Sequence, residues 1–300
     1  MARFHILSGA DAGSTPKINH VTISDIGGAL REGFDDFWAM PTHLAFLGVI
    51  YPVCGGLLAY FASRGDLLQL VFPLASGLAL IGPIAAIGLY ELSRRRERGL
   101  EFSWAHAFDV LGSPSLLPIT ALSLFLAALF ALWIGAAQEI YVALYGSDTP
   151  ATLGALLTDA ASSDRGRMLF VVGGLVGFVF AALTFAISVL SFPMLLDRDV
   201  GLLLAVRTSL AAVRANPVPM ALWALTIAVA LVLGSLPLFV GLAIVMPVLG
   251  HASWRFYRRV VVREPQHENP TESPLWASRR SPSDAVRPHS VLFPWPTNQE

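Results

Sequence analysis

Five apolar stretches dominate the chain, near residues 44–62, 67–92, 116–145, 168–196 and 218–258, with the polar residues gathered between them. Each reaches the roughly 17 to 25 residues that cross a bilayer as a helix. The last is too long for one crossing, since at about 1.5 Å per residue it would extend on the order of 60 Å, twice the hydrocarbon thickness. Gly234-Ser235-Leu236-Pro237 near its middle reads as a tight turn. The pattern therefore predicts six spans, the last two at 218–234 and 236–258, in an all-α polytopic membrane helical bundle.

A unit recurs three times: an amphipathic helix, a proline, a span, an outer loop, and a second span ending in basic residues. In the first copy Ile26, Leu30, Phe34, Phe37 and Trp38 share a helical face, Arg31, Glu32, Asp35 and Asp36 lie off it, and Pro41 follows. The second uses Leu100, Trp104, Phe108 and Leu111 before Pro114, and the third Leu203, Val206, Leu210 and Val213 opposite Arg207 and Arg214, before Asn216-Pro217. Such faces next to a span suit the headgroup boundary, or else pack on the bundle end as connecting helices. Pro83, Pro193 and Pro247 stand at equivalent places in the even-numbered spans and predict kinks. Gly173 and Gly177 give a small-residue spacing at which helix backbones approach closely.

Charge sets the orientation. With six spans, 17 of the 20 basic residues fall on one side, leaving only Arg64, Arg165 and Arg167 on the other. Basic loops stay cytoplasmic, so both termini are expected there, and a five-span count would break the pattern. Residues 1–22 read as a flexible segment without the apolar core of a signal peptide, residues 23–263 as the membrane domain, and 264–300, with seven prolines and no apolar period, as a disordered cytoplasmic tail.

Composition agrees: 55% hydrophobic, 14% charged and a mean hydropathy of +0.62 describe a chain whose partner is the lipid bilayer. A net charge of −1 gives no reason to expect nucleic acid. The single cysteine, Cys54, builds no disulfide or thiolate metal site within one chain.

Candidate chemistry is sparse. Of seven histidines only His251 lies inside an apolar helix, where it reads as a hydrogen-bonded residue near Trp254 or, less simply, as a proton relay. A lone histidine cannot bis-ligate a haem, and no cofactor or metal is expected. Glu91 has Arg94 and Arg95 at i+3 and i+4, an intrahelical pair. Glu139, late in the third span, is the acid least explained by a partner, and Asp197-Arg198-Asp199 closes the fourth span as a salt-bridge cluster or docking surface. No phosphate loop, HExxH or nucleophile elbow occurs, and no enzymatic activity is expected.

Asp35-Asp36-Phe37-Trp38-Ala39-Met40-Pro41-Thr42-His43, Phe192-Pro193-Met194-Leu195-Leu196-Asp197-Arg198-Asp199-Val200 and Val248-Leu249-Gly250-His251-Ala252-Ser253-Trp254 resemble signature segments of an uncharacterised family of predicted prokaryotic integral membrane proteins. The similarity spans roughly 24–262. It implies a bacterial inner-membrane protein and carries over no catalytic residue. Some members are labelled cytochrome c oxidase subunit, which the histidine count opposes for a catalytic subunit but not for an accessory one. The expected role is a non-enzymatic scaffold or assembly protein for another membrane protein complex. The alternatives are a small transporter and an accessory oxidase subunit.

Overall fold

The computed structural model describes residues 16–40, 86–101, 103–113, 115–146, 153–236 and 240–262, and these are almost wholly helical. Helix α1 (Ile23–Ala39) starts where the Asp25 carboxylate accepts from the Thr22 N–H and hydroxyl, each at 2.7 Å. These bonds hold the Asp25 carboxyl below its ordinary range, the backbone N–H being the larger cause. Helix α2 (Ile87–Glu97) ends in Arg94, Arg95 and Arg96, favourable charges for a helix C-terminus, and Gly99 at φ 66° turns the chain away. A 3-10 helix (Trp104–Gly112) leads into α3 (Leu116–Tyr145). There follow α4 (Leu153–Ser162), α5 (Asp164–Ser188), α6 (Ser191–Asp197), α7 (Leu202–Ala215), α8 (Pro217–Ser235) and α9 (Leu242–Val260).

Among the described residues, three stretches are long and apolar enough to cross a membrane: Leu116–Tyr145, Asp164–Asp197 and Pro217–Ser235. Their ends agree closely with the third and fourth apolar stretches and with the fifth span expected at 218–234. The first span, most of the second, Cys54, Pro83 and the tail from 264 lie outside the described residues. The turn between α8 and α9 is visible on both flanks, and a Cβ on Gly241 would stand 2.8 Å from Gly234 Cα, so this hairpin needs glycine at the contact. Phe170, Leu175, Phe178 and Val179 on α5 point outward, as lipid-facing residues do.

The fourth span is broken where the prolines predict. Pro193 has no N–H for the Val189 carbonyl, and the helix interrupts between Ser188 and Ser191. Ser209 of α7 repairs the break: its hydroxyl donates to Ala186 O at 2.7 Å and accepts from Leu190 N–H at 3.3 Å. One side-chain oxygen thus replaces a missing rung of the ladder.

The amphipathic elements differ in detail from their sequence reading. The second is a 3-10 helix, so Phe108 and Leu111, three apart, share a side and are both exposed. On α7 the buried stripe is the small set Ala205, Thr208, Ser209 and Ala212, with Val206, Leu210 and Val213 half-buried beside it. On α1, Ile26 and Phe37 go in but Phe34 and Trp38 stay 44% and 71% exposed, while Asp36, read as outward, is 1% exposed. The reason is α9: Gly33 lies against the Ala252 backbone, so α1 packs along a helix and turns its acidic edge inward. Residues 16–22, read as flexible, are held to the end of α9 by Asn19 N–H to Val260 O (2.8 Å) and Val262 N–H to Lys17 O (3.0 Å). Asn216 closes the same corner, accepting from Val21 N–H at 2.9 Å. Of the two α5 glycines at the small-residue spacing, Gly177 receives the Trp133 indole, whereas Gly173 has nothing near it, so a side chain rather than a backbone fills the notch.

The largest buried side chains, including Trp223, Trp254, Tyr257, Phe192 and Phe256, gather around α6 and the arginine-bearing end of α9, with Trp223 stacked on Phe256 at 4.9 Å. The core therefore sits at one end of the bundle, beneath the charged groups.

Candidate functional site

Helix α9 carries Arg255, Arg258 and Arg259 in its last turns, and each reaches carboxylates on other helices. Asp36 is the centre. Its carboxylate takes both Arg255 Nε (2.9 Å) and Nη2 (2.8 Å), Arg96 Nη1 (2.5 Å) and the Ser93 hydroxyl (2.8 Å). A two-pronged guanidinium contact of this kind is among the stronger charge-assisted pairs. Arg259 pairs with Glu32 at 2.7 Å and stands 3.9 Å from Asp25, so α1 and α9 are joined by a row of ion pairs along one edge. Arg258 bonds Glu97 through Nε at 3.0 Å and reaches Asp197 at 3.3 Å. Trp254 Nε1 donates to Glu97 at 3.0 Å, and Tyr257 OH donates to Asp197 at 3.0 Å. Four helices, α1, α2, α6 and α9, are thereby tied at one end.

His251 belongs to this network. Its ring is fully buried, with Nδ1 2.8 Å from Ser93 Oγ. Since the single Ser93 proton is given to Asp36, Oγ must accept from the imidazole, which assigns the proton to Nδ1. Nε2 is then a buried acceptor without a hydrogen-bond partner among the described residues. The order is carboxylate, hydroxyl, imidazole, whereas a hydrolytic relay places the imidazole in the middle. The hydroxyl here bridges two helices.

Of the residues singled out from sequence, the structure brings His251 and Asp197 into one charged end of the bundle. Arg198 donates to Val262 O at 2.7 Å and Asp199 is exposed beside it. Glu139 is not part of it: it lies exposed near the opposite end of α3. Asp36, Ser93, Arg96, Glu97 and Arg255 were missed. A signal existed, because Asp25, Glu32 and Asp36 recur on one face of a helix at spacings of seven and four, a row of acids awaiting a row of arginines.

Beside Asp197 opens a cleft of about 260 Å³ lined by Glu91, Arg94, Asp109, Asp197, Arg198 and Asp199 among others. Glu91 is 3% exposed. Arg94 Nη2 stands 2.7 Å from its Oε2, an ion pair within one helix, and Arg94 Nη1 donates to Leu196 O at 3.1 Å, while Arg94 Nε is buried without a hydrogen-bond partner among the described residues. Arg95 answers Asp109 at 2.9 Å from outside the cleft.

At the far end of α3, the Tyr145 hydroxyl donates to Asp159 and Arg165 lies over the tyrosine ring at 4.7 Å. The tyrosine bond is the main cause that holds the Asp159 carboxyl below its ordinary range.

No curated protein and no solved structure matches the chain. The described part of residues 71–197 comprises α2, the 3-10 helix and α3 to α6, and so supplies Ser93, Arg96, Glu97 and Asp197 to the charged end. Over 71–197 the chain matches the model of a family described as predicted integral membrane protein, DUF2189, and with spans of the length and apolarity found above it is an integral membrane protein similar to that family of unknown function.

Proposed function

We propose that this chain is a non-enzymatic protein of a bacterial inner membrane that organises or assembles a partner complex at its cytoplasmic face. The observation that carries the reading is the internal use of the reactive side chains. Asp36, Ser93 and His251 are at most 1% exposed and are spent on joining α1, α2 and α9. What faces outward at that end is a fixed charged edge, with Asp199 and Arg198 at its rim. A platform of this kind suits recognition, because its charges are held in place before a partner arrives.

The architecture that goes with it is six spans in three repeats of amphipathic helix plus two spans, both termini cytoplasmic. Support comes from the agreement of three span ends with the apolar pattern, from the α8–α9 glycine hairpin, and from the arginine distribution. The test is affinity purification in mild detergent from the native membrane, followed by mass spectrometry and an absorption spectrum. A stoichiometric partner that is lost in Asp199→Lys is the expected result. A lone, colourless protein from both chains refutes the reading.

One observation favours a small transporter instead: the interrupted span at Val189-Leu190, since broken helices frame many transport sites. Under that reading Glu139→Gln abolishes flux in proteoliposomes at normal abundance. Under the platform reading it changes nothing.

A further inference from the structure

We propose that the outward edge of α7 binds anionic phospholipid headgroups in the leaflet from which α8 sets out. The first observation is a pair of arginines left over. The arginines of α2 and its cap, of the first turn of α5 and of α9 are each answered by a carboxylate, and Arg198 by a carbonyl. Arg207 and Arg214 are exposed, and neither has an ion-pair or hydrogen-bond partner among the described residues. Arg31 of α1 is also without one, but the exposed acid Asp35 stands one turn on, so that edge carries no net charge. Helix α7 contains no acid at all, and of the two that precede it Asp197 is taken by Arg258 and Tyr257. Seven residues apart, Arg207 and Arg214 lie two turns, about 10 Å, apart on one side of the helix.

Position is the second observation. Only Asn216 separates α7 from Pro217, the first residue of an apolar helix long enough to cross a membrane. On its inner side Ser209 bonds Ala186 O and Leu190 N–H, in the last third of the Asp164–Asp197 span. Helix α7 is thus fixed against two membrane-long helices, with its stripe of Ala205, Thr208, Ser209 and Ala212 turned inward and the arginine edge turned out. That edge is not purely polar. Leu203 and Val218 are 43% and 63% exposed at its two ends. Aliphatic groups that enter the acyl boundary beside guanidinium groups that reach up to phosphate are the pattern of a helix held at a charged membrane surface. The planar guanidinium offers paired N–H groups to phosphate oxygens, which a zwitterionic headgroup already neutralises with its own cation and an anionic one leaves free. An acidic peptide would match the charge, but with α8 entering the bilayer one residue past α7 it would have to displace lipid to reach Arg214.

The experiment uses the full chain, delipidated in detergent and offered phosphatidylglycerol and phosphatidylcholine of identical acyl chains, with retention read by native mass spectrometry. Phosphatidylglycerol should be retained about thirtyfold over phosphatidylcholine, about fivefold for each arginine, the gain of one basic residue at an anionic surface. Arg207→Gln and Arg214→Gln should each lower the ratio about fivefold, and the double variant should bring it close to one. Both side chains are exposed and unpartnered, so the variants should unfold with the unaltered chain in a dodecyl sulfate titration. Arg167→Gln, which removes the same charge at the opposite end of α5, should leave the ratio unchanged. Glycerol 3-phosphate, a phosphate without acyl chains, should not displace the lipid, and displacement at equal concentration overturns the membrane as the source. Equal retention of the two lipids by the unaltered chain, an unchanged ratio in the folded double variant, or an equal loss in Arg167→Gln overturns the proposal. If the double variant instead loses an acidic protein from native-membrane preparations while its lipid ratio holds, the edge belongs to that protein and the lipid assignment fails.

Discussion

Asp36→Asn tests whether the charged end is one cooperative unit. The amide keeps the volume of the acid but removes its charge and presents an NH2 where an acceptor stood. Four bonds depend on that carboxylate: two from Arg255, one from Arg96 and one from Ser93. Removing one member of a buried ion pair costs about 3–5 kcal/mol, because the partner charge is left behind. That figure is an upper bound here. Arg255 and Arg96 are 17% and 33% exposed, so water softens the loss, and a destabilisation of about 2–4 kcal/mol is expected. Against a total of about 5–15 kcal/mol this is a large fraction. Reversible unfolding in mixed micelles, titrated with dodecyl sulfate and followed by circular dichroism, measures it. Asp35→Asn, the exposed neighbour, is the control and should change stability by less than about 0.5 kcal/mol. If the two variants unfold within about 0.5 kcal/mol of each other, the carboxylate is not the junction of the end and the reasoning fails.

Three further outcomes follow from the same packing. Ser209→Ala removes the oxygen between Leu190 N–H and Ala186 O, leaving two buried backbone groups unbonded, and should cost about 2–4 kcal/mol in the same titration; a cost under about 1 kcal/mol would mean that the helix closes its own ladder. Gly33→Ala and Gly27→Ala should differ in sign: a Cβ at 33 meets the Ala252 backbone at 2.5 Å and should loosen α1, seen as faster amide exchange, whereas a Cβ at 27 meets nothing and should stabilise α1 by about 0.5–1 kcal/mol. The Asp159 clasp is sensitive to acid, because a carboxyl with a lowered pKa contributes stability above its ordinary value near 3.8 and loses it as pH falls through the folded value. Tyr145→Phe should therefore flatten the acid limb of a thermal melt series, and identical limbs would remove the clasp.

What the sequence makes readable is what depends on one segment at a time. Span ends at 116, 145, 197 and 217 follow from where apolar runs stop, and the break before Pro193 follows from a missing N–H. The α7 face is harder to read: close packing selected Ala205, Ser209 and Ala212, while the hydrophobic pattern points to the larger residues flanking them. Asp36 lies off the apolar face of α1, which locally points it to solvent. Its partner Arg255 lies 219 positions later, and only the fold places the two together. The His251 environment was half readable: burial follows from the apolar helix, but the bond to Ser93 does not.

The separation between Asp36 and Arg255 also bears on biogenesis. At about 5–20 residues per second, a ribosome that has finished α1 needs roughly 10–40 s to deliver the arginines that neutralise it. Arg96, only 60 positions after Asp36, is available to it sooner. The last of the described helices is the one that locks the first of them, through Asp36, Glu32 and the strand-like pairing of Ile18 with Val261. A chain truncated before α9 lacks Arg255 and Arg259 and never closes this end.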